Sequence, residues 1–192
     1  MSLDHLLLGM LAEPAAGYDL KRMFGMTLRH FWDAELSQIY PTLARLERRG
    51  LLKSARVPSP KGPPRRVYRR TEAGTQALRE WLEREPEIPQ PRLGFLGQLT
   101  FLHELGDLRR TRQFVERIRA AFAARLAVLR EVEALFFHHA PGWPDDLSDE
   151  DFHAHLTVRH GMLRIESALA WCDESLRRID ARLARARQET PR

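Results

Sequence analysis

Lysine, cysteine and long apolar runs are what this 192-residue chain has little of. Its single cysteine, Cys172, cannot close an internal disulfide, which agrees with a reducing compartment and makes cytoplasmic residence the expectation. No stretch approaches the roughly 18 consecutive apolar residues that a membrane-crossing helix requires. The nearest approach to a targeting signal, LLLGMLA at 6–12, follows Asp4 and His5 instead of a basic segment and reads as a buried first helix. No nucleophile elbow, phosphate loop, dinucleotide fingerprint or metalloprotease pattern occurs, so the chain is not expected to be an enzyme. His153 and His160 share a helical face, but Leu156 lies between them and His155 points elsewhere; zinc needs three or four converging ligands, so no metal or cofactor is expected.

Only three of the 31 basic residues are Lys, and the excess charge is unevenly placed. Residues 1–85 hold 15 basic against 10 acidic side chains, whereas residues 86–192 hold 16 of each. Within the first half, residues 48–70 carry nine cations and no acid, where a solvated charged face would mix signs. A surface of this kind faces a polyanion. The prolines of EPEIPQP stop any helix, so the expected division is a domain at 1–85, a linker at 86–91 and a second domain at 92–192.

Helical periodicity is expected over residues 3–12 and again over 18–31, with Leu20, Met23, Phe24, Leu28 and Phe31 inward. The next helix covers residues 37–49, with Ser37 as N-cap and Pro41 near the first turn. Leu36, Ile39, Leu43 and Leu46 form its core stripe; Gln38, Thr42, Arg45 and Arg49 are read as the opposite face. After Gly50 the period shortens toward 2, giving a strand, a proline-rich turn at 58–64 and a returning strand. Thr71 then caps a helix over 72–84, with Ala77, Leu78, Trp81 and Leu82 inward.

Helix, helix, helix, hairpin, helix is the order of a winged helix-turn-helix, in which the third helix enters the major groove of double-stranded DNA. In that frame Gln38 would pair with adenine, Thr42 would meet a thymine methyl and Arg45 would reach guanine or phosphate. The basic hairpin would follow the flanking backbone or minor groove. The runs LLLGMLAEPAAGYDLKR, FWDAELSQIYPTLARLERRGLL and KGPPRRVYRRTEAGTQALREWL resemble the PadR family of winged-helix transcriptional regulators over nearly all of residues 3–83. The resemblance implies a dimeric, usually repressing, DNA-binding protein with its recognition helix at 37–49 and its wing at 57–66. It adds Tyr18, Gln38, Tyr40 and the wing arginines Arg65 and Arg66 as DNA-facing positions. The wing turn KGPPRR departs from the family's usual Gly-Arg-Pro type, so the minor-groove position falls to either Lys61 or Arg65.

Beyond the linker the chain reads as helical throughout, making the whole mainly α: a winged helix-turn-helix followed by an antiparallel helical dimerisation domain. Asp107 is the expected cap of a helix to about His138 with Phe114, Ile118, Phe122, Leu129, Val132 and Phe136 buried. Ser148 and Asp151 form a capping box before a helix to about Arg187. The acids at 145–151 suit that helix start by its dipole. Ile165, Leu169, Cys172, Leu176, Ile179 and Leu183 repeat every 3.5 residues, a coiled-coil seam read as the contact between two chains of a homodimer, with packing inside one chain as the alternative. Trp143 and Trp171 are candidate walls of a pocket for a small aromatic effector. The competing function is a helical adaptor whose seam binds another protein.

Overall fold

The computed structural model describes residues 3–28, 30–59, 62–88 and 91–188, and it divides into two compact units meeting at residues 89 and 90. The fold is mainly helical with one small antiparallel sheet. The first unit contains α1 (Leu3–Met10), β1 (Ala15–Ala16), α2 (Gly17–Met23), α3 (Leu36–Arg48), β2 (Leu52–Ser59), β3 (Gly62–Arg70) and α4 (Glu72–Leu82). Leu7, Leu8, Leu11, Leu20, Phe24, Ile39, Leu43 and Leu46 are buried almost completely and form one cluster with Leu52 and Tyr68. Each such side chain contributes about 1.5–3 kcal/mol on leaving water, so this cluster carries the stability of the unit.

Several local expectations are corrected. α2 runs on into a π-helical turn at Phe24–Leu28, whose longer period rotates the positions beyond it, and Phe31 is exposed instead of inward; Met23, ahead of that turn at the end of α2, is exposed as well. The cap of α3 is Glu35, not Ser37, because the Glu35 backbone N–H is taken by Gln38 Oε1 at 3.0 Å. Pro41 therefore lies in the second turn, inside the helix. Leu82 is exposed at the end of α4, while Trp81 stacks on His5 at 4.9 Å. The Thr71 cap is seen, its side chain accepting from Gly74 N–H at 3.1 Å.

The sheet has the order β1-β3-β2. β1 pairs Ala15 with Tyr68 and Ala16 with Val67; β2 pairs Leu52 with Arg70 and runs to Ser59 opposite Gly62. The strands thus continue into the prolines that the sequence suggested would be turn, at the cost of an irregularity between Val57 and Ser59, as expected where proline cannot donate.

The second unit contains α5 (Gly94–Phe101), a 3₁₀ turn at Leu102–Leu105, α6 (Leu108–Phe136) and α7 (Asp149–Gln188). Asp107 caps α6 by accepting from Arg109 N–H at 2.9 Å, and Ser148 Oγ accepts from Asp151 N–H at 3.2 Å while donating to its carboxylate at 2.8 Å. α6 and α7 form an antiparallel hairpin around Leu126, Leu129, Phe137, Val158, Met162 and Ile165. At the end of α6 Phe136 is exposed, and it is the C-cap residue Phe137 that turns inward. Ion pairs Arg112–Asp180, Arg119–Asp173 and Arg130–Glu166, with a hydrogen bond between His155 Nε2 and Glu133 Oε1 at 3.0 Å, cross the hairpin along its length and fix its register.

The 3.5-residue seam on α7 is used inside the chain. Cys172 is fully buried, Ile165 is nearly so, and Leu169 packs on the same cluster. Leu176, Ile179 and Leu183 are half-buried, with Ile179 and Leu183 lining hollows shared with α6. Within one chain α6 thus covers the first half of the seam, Ile165 to Cys172, and leaves Leu176, Ile179 and Leu183 partly exposed. Burial also pushes the Cys172 thiol pKa up, so the side chain behaves as a small apolar group.

Candidate nucleic-acid interface

The turn between α2 and α3 is clamped by one lysine. Lys21 Nζ donates to the Ala34 carbonyl at 2.9 Å and to Glu35 Oε1 at 2.8 Å, with Asp33 at 3.7 Å. The bond to Glu35 raises the lysine pKa above its ordinary value, so the clamp is charged throughout the neutral range. Gln38 then closes the first turn of α3 from within the helix.

At about 100° per residue, Thr42 lies only about 60° from Ile39 around the helix axis, inside the core arc. It is indeed buried, which corrects its assignment to a thymine methyl. Arg45 and Arg49 fall on a flank directed at α1, where both donate to the Asp4 carboxylate, Arg49 at 3.3 Å. In this structure these two arginines, each about half exposed, tie α3 to α1. The outward line of α3 is instead Ser37, Pro41, Ala44 and Arg48, at steps of 4, 3 and 4, with exposed Gln38 and Tyr40 beside it.

Tyr40, half exposed, leans over the start of α2: a Cβ placed on Gly17 would sit 2.5 Å from the Tyr40 Cε1 atom. Tyr18 is exposed at the same end of α2. Glycine at 17 is what lets Tyr40 of α3 lie over the start of α2.

The wing arginines are held by carboxylates of the helices. Arg65 Nη1 donates to Asp19 Oδ2 of α2 at 3.3 Å, and Arg66 donates to Ser54 Oγ at 2.8 Å and to Glu47 Oε2 of α3 at 2.5 Å. The hydrogen bond from Ser54, then the Arg66 guanidinium, holds the Glu47 carboxyl below the ordinary carboxylate range. Arg66 also lies over the Tyr68 ring at 5.3 Å. Lys61 lies outside the described residues.

In the hairpin register Arg56 is opposite Arg66 and Lys53 opposite Arg69. Like charges directly across a ladder destabilise it; Glu47 offsets the first pair through Arg66, and the second has no acidic partner among the described residues. Arg48, Lys53, Arg56 and Arg69 are exposed and have no acidic partner among the described residues. Sequence reasoning counted these cations without singling them out; the cross-strand register is the signal that separates them.

Trp143 and Trp171 do not share a pocket. Trp143 packs with Phe137, His138 and His155, whereas Trp171 packs with Phe95. Among the described residues no group of three or more His, Cys, Asp or Glu is placed to hold a metal ion, and no helix is long and apolar enough to cross a membrane.

An outward helix following a clamped turn, beside a cationic two-stranded wing, defines the class of winged-helix DNA-binding regulators. Residues 7–80 match the model of the transcriptional regulator PadR-like family, and residues 91–180 match the virulence activator alpha C-terminal model. The first unit is thus similar to the PadR-like family of transcriptional regulators. It is 28% identical over 184 residues to the "Probable transcriptional regulator Rv1176c" of Mycobacterium tuberculosis, covering 91% of this chain and 95% of that one. It is 27% identical to the negative transcriptional regulator PadR of Bacillus subtilis, covering 93% and 97%. Among solved structures, Bacillus subtilis PadR in complex with operator DNA superposes with a TM-score of 0.81 at 25% identity, covering 91% of this chain and 97% of that one. The same protein in complex with p-coumaric acid gives 0.76 at 27% identity, covering 93% and 95%.

Proposed function

We propose that this regulator is a cytoplasmic homodimeric repressor that reads a palindromic operator, with residues 1–85 on DNA and residues 92–192 holding the dimer. The observation that carries the reading is the outward line of α3, Ser37, Pro41, Ala44 and Arg48, lying beside exposed Gln38, Tyr18 and Tyr40. Ser37, Gln38, Tyr40 and Pro41 meet base edges, Arg48 and the wing residues Lys53, Arg56, Lys61, Arg65 and Arg66 meet phosphates, and Arg45, Arg49 and Thr42 support them from behind. Repression is supported by the name of the Bacillus subtilis relative, a negative regulator.

The dimer is supported by apolar residues that the α6–α7 hairpin leaves outside. Phe152, Leu156 and Leu163 follow steps of 4 and 7 along α7, and Val128 and Leu135 lie two turns apart on α6, all about half exposed. A second copy of the chain covers them in this reading, in place of the seam from Ile165 to Leu183. A small aromatic effector belongs to it too, supported by the p-coumaric acid complex of the relative and by the half-buried Phe95 and Trp171 rings of this chain.

Selection of bound duplexes from a random pool, with sedimentation of the free protein, tests the reading. A palindrome with half-sites about 34 Å apart, or a multiple of that spacing, is expected from a sedimenting dimer. Enrichment of a single unrepeated site by a monomer would overturn it.

A further inference from the structure

The second unit is electrically even in total but not along its length. Residues 107–119 and 173–188 carry ten arginines and five carboxylates, whereas residues 129–169 carry three arginines and eight carboxylates. Antiparallel packing brings the two arginine-rich segments to one end of the hairpin, as Arg112–Asp180 at 2.8 Å and Arg119–Asp173 at 2.6 Å record. Four of the five carboxylates there are already matched: Glu116 and Asp180 by Arg112, Asp173 by Arg119 and Glu174 by Arg178. The fifth, Asp107, caps α6.

Arg109, Arg110, Arg182, Arg185 and Arg187 are left exposed, with no acidic partner among the described residues. Two open hollows flank them. Arg109, Arg112 and Arg187 line one of about 460 Å³, and Arg178, Arg182 and Arg185 line another of about 400 Å³. Arg178, Arg182 and Arg185, at steps of 4 and 3, run along one face of α7.

We infer that this arginine-rich end is a second polyanion-binding surface whose partner is the phosphate backbone of duplex DNA. No guanidinium of the set is enclosed, so the end does not fit a single small anion; a row of exposed cations instead fits an extended polymer that releases counterions on binding. Contacts of this kind need no base readout, because arginine holds phosphate irrespective of sequence. The inference rests on the DNA-binding reading above.

Its test uses the full chain on a non-operator duplex several helical turns long. The variant Arg182→Gln/Arg185→Gln/Arg187→Gln is compared with the wing variant Lys53→Gln/Arg56→Gln and with the wild type across salt. Loss of three phosphate contacts makes the log affinity against log salt slope shallower by about 2.7, so raising salt from about 50 to 200 mM costs the wild type about 40-fold more affinity than the α7 variant. The substitutions alter exposed arginines that have no acidic partner among the described residues, and circular dichroism checks that the helices persist. A wild-type slope in the α7 variant, with a shallower slope in the wing variant, overturns this inference and spares the DNA reading. Polyglutamate binding lost by the α7 variant while its DNA slope stays unchanged assigns the end to an acidic protein and also overturns it. No affinity of the wild type for any duplex at low salt removes both.

Discussion

Replacing Asp4 with Asn separates two roles for Arg45 and Arg49, holding the fold or reading the operator. The Asp4 side chain is 12% exposed, while the guanidinium side chains it receives are 49% and 57% exposed. An exposed ion pair contributes about 0–1 kcal/mol, and a hydrogen bond to a charged buried group about 1.5–3 kcal/mol. Once freed, the arginines regain water, so the stranded-charge penalty of about 3–5 kcal/mol for a fully buried pair does not arise. The expected loss therefore lies between the two limits, about 1–2 kcal/mol. Thermal unfolding of the full chain should fall by about 2–8 °C, at about 2–4 °C per kcal/mol for a chain of this size. Arg45→Gln alone should lower Tm similarly, and the double variant should show a coupling of about 1 kcal/mol. The ratio of operator to random-duplex affinity should be the same for Arg45→Gln and wild type. An unchanged Tm together with a lost ratio would mean that Arg45 abandons Asp4 for a base, and the assignment of this flank to the fold would be refuted.

Gly74→Ala should destabilise the first unit by at least about 1–3 kcal/mol, because the new Cβ would lie 2.2 Å from the Leu51 carbonyl oxygen, a backbone atom already bonded by Thr71 N–H; an unaltered melting curve would contradict it. Glu47→Gln should remove an acid-sensitive part of stability. Because the folded-state pKa is depressed, that contribution is complete above the unfolded value of about 4.5 and disappears as pH falls through the lower folded value, so wild type and variant unfolding energies should converge in acid and separate above it. Cys172 should resist a disulfide reagent until denaturant is added, since its sulfur is fully buried and its thiol pKa raised by that burial; rapid labelling of folded protein would place it elsewhere. Arg56→Gln should flatten the salt dependence of DNA binding by about 0.9, whereas Arg66→Gln should flatten it less and lower Tm instead; equal slopes would count against the pairing of Arg66 with Glu47.

Features with a short sequence reach were readable in advance. The core stripe of α3 follows from its 3- and 4-residue steps, and the caps at Thr71, Asp107 and Ser148 follow from side chains bonding amides two or three residues on. At Thr42 angle outweighs polarity: three residues after Ile39 a side chain is still on the core side of a helix. The ion pairs that settle the arginines join residues 41, 46 and 19 apart, as in Arg45–Asp4, Arg65–Asp19 and Arg66–Glu47, and no local pattern announces such partners. β1 is two alanines long, below any detectable period, and the π-helical turn at Phe24–Leu28 leaves no compositional mark. The seam on α7 is visible as a period, yet a period names no partner, and α6 of the same chain covers only its first half, Ile165 to Cys172.

The acids of the first unit explain why its net charge understates and its arginine count overstates its affinity for phosphate. Asp4, Asp19 and Glu47 each occupy guanidiniums that composition alone would assign to DNA, and Arg70 donates to the Leu8 carbonyl at 2.8 Å. These bonds do not waste cations. A free arginine side chain loses about 2 kcal/mol of rotamer freedom when it is fixed on a phosphate. Arg65 and Arg66, half exposed and anchored at one side to α2 and α3, have lost part of that freedom on folding and retain N–H groups for a second acceptor. Each tether also transmits position, since the wing can shift against α3 only by stretching Arg66–Glu47. Arg48, Lys53, Arg56 and Arg69 supply the mobile, salt-sensitive part of the field, and the tethered arginines supply its geometry. A basic surface built only of the first kind would bind DNA without holding the recognition helix in register.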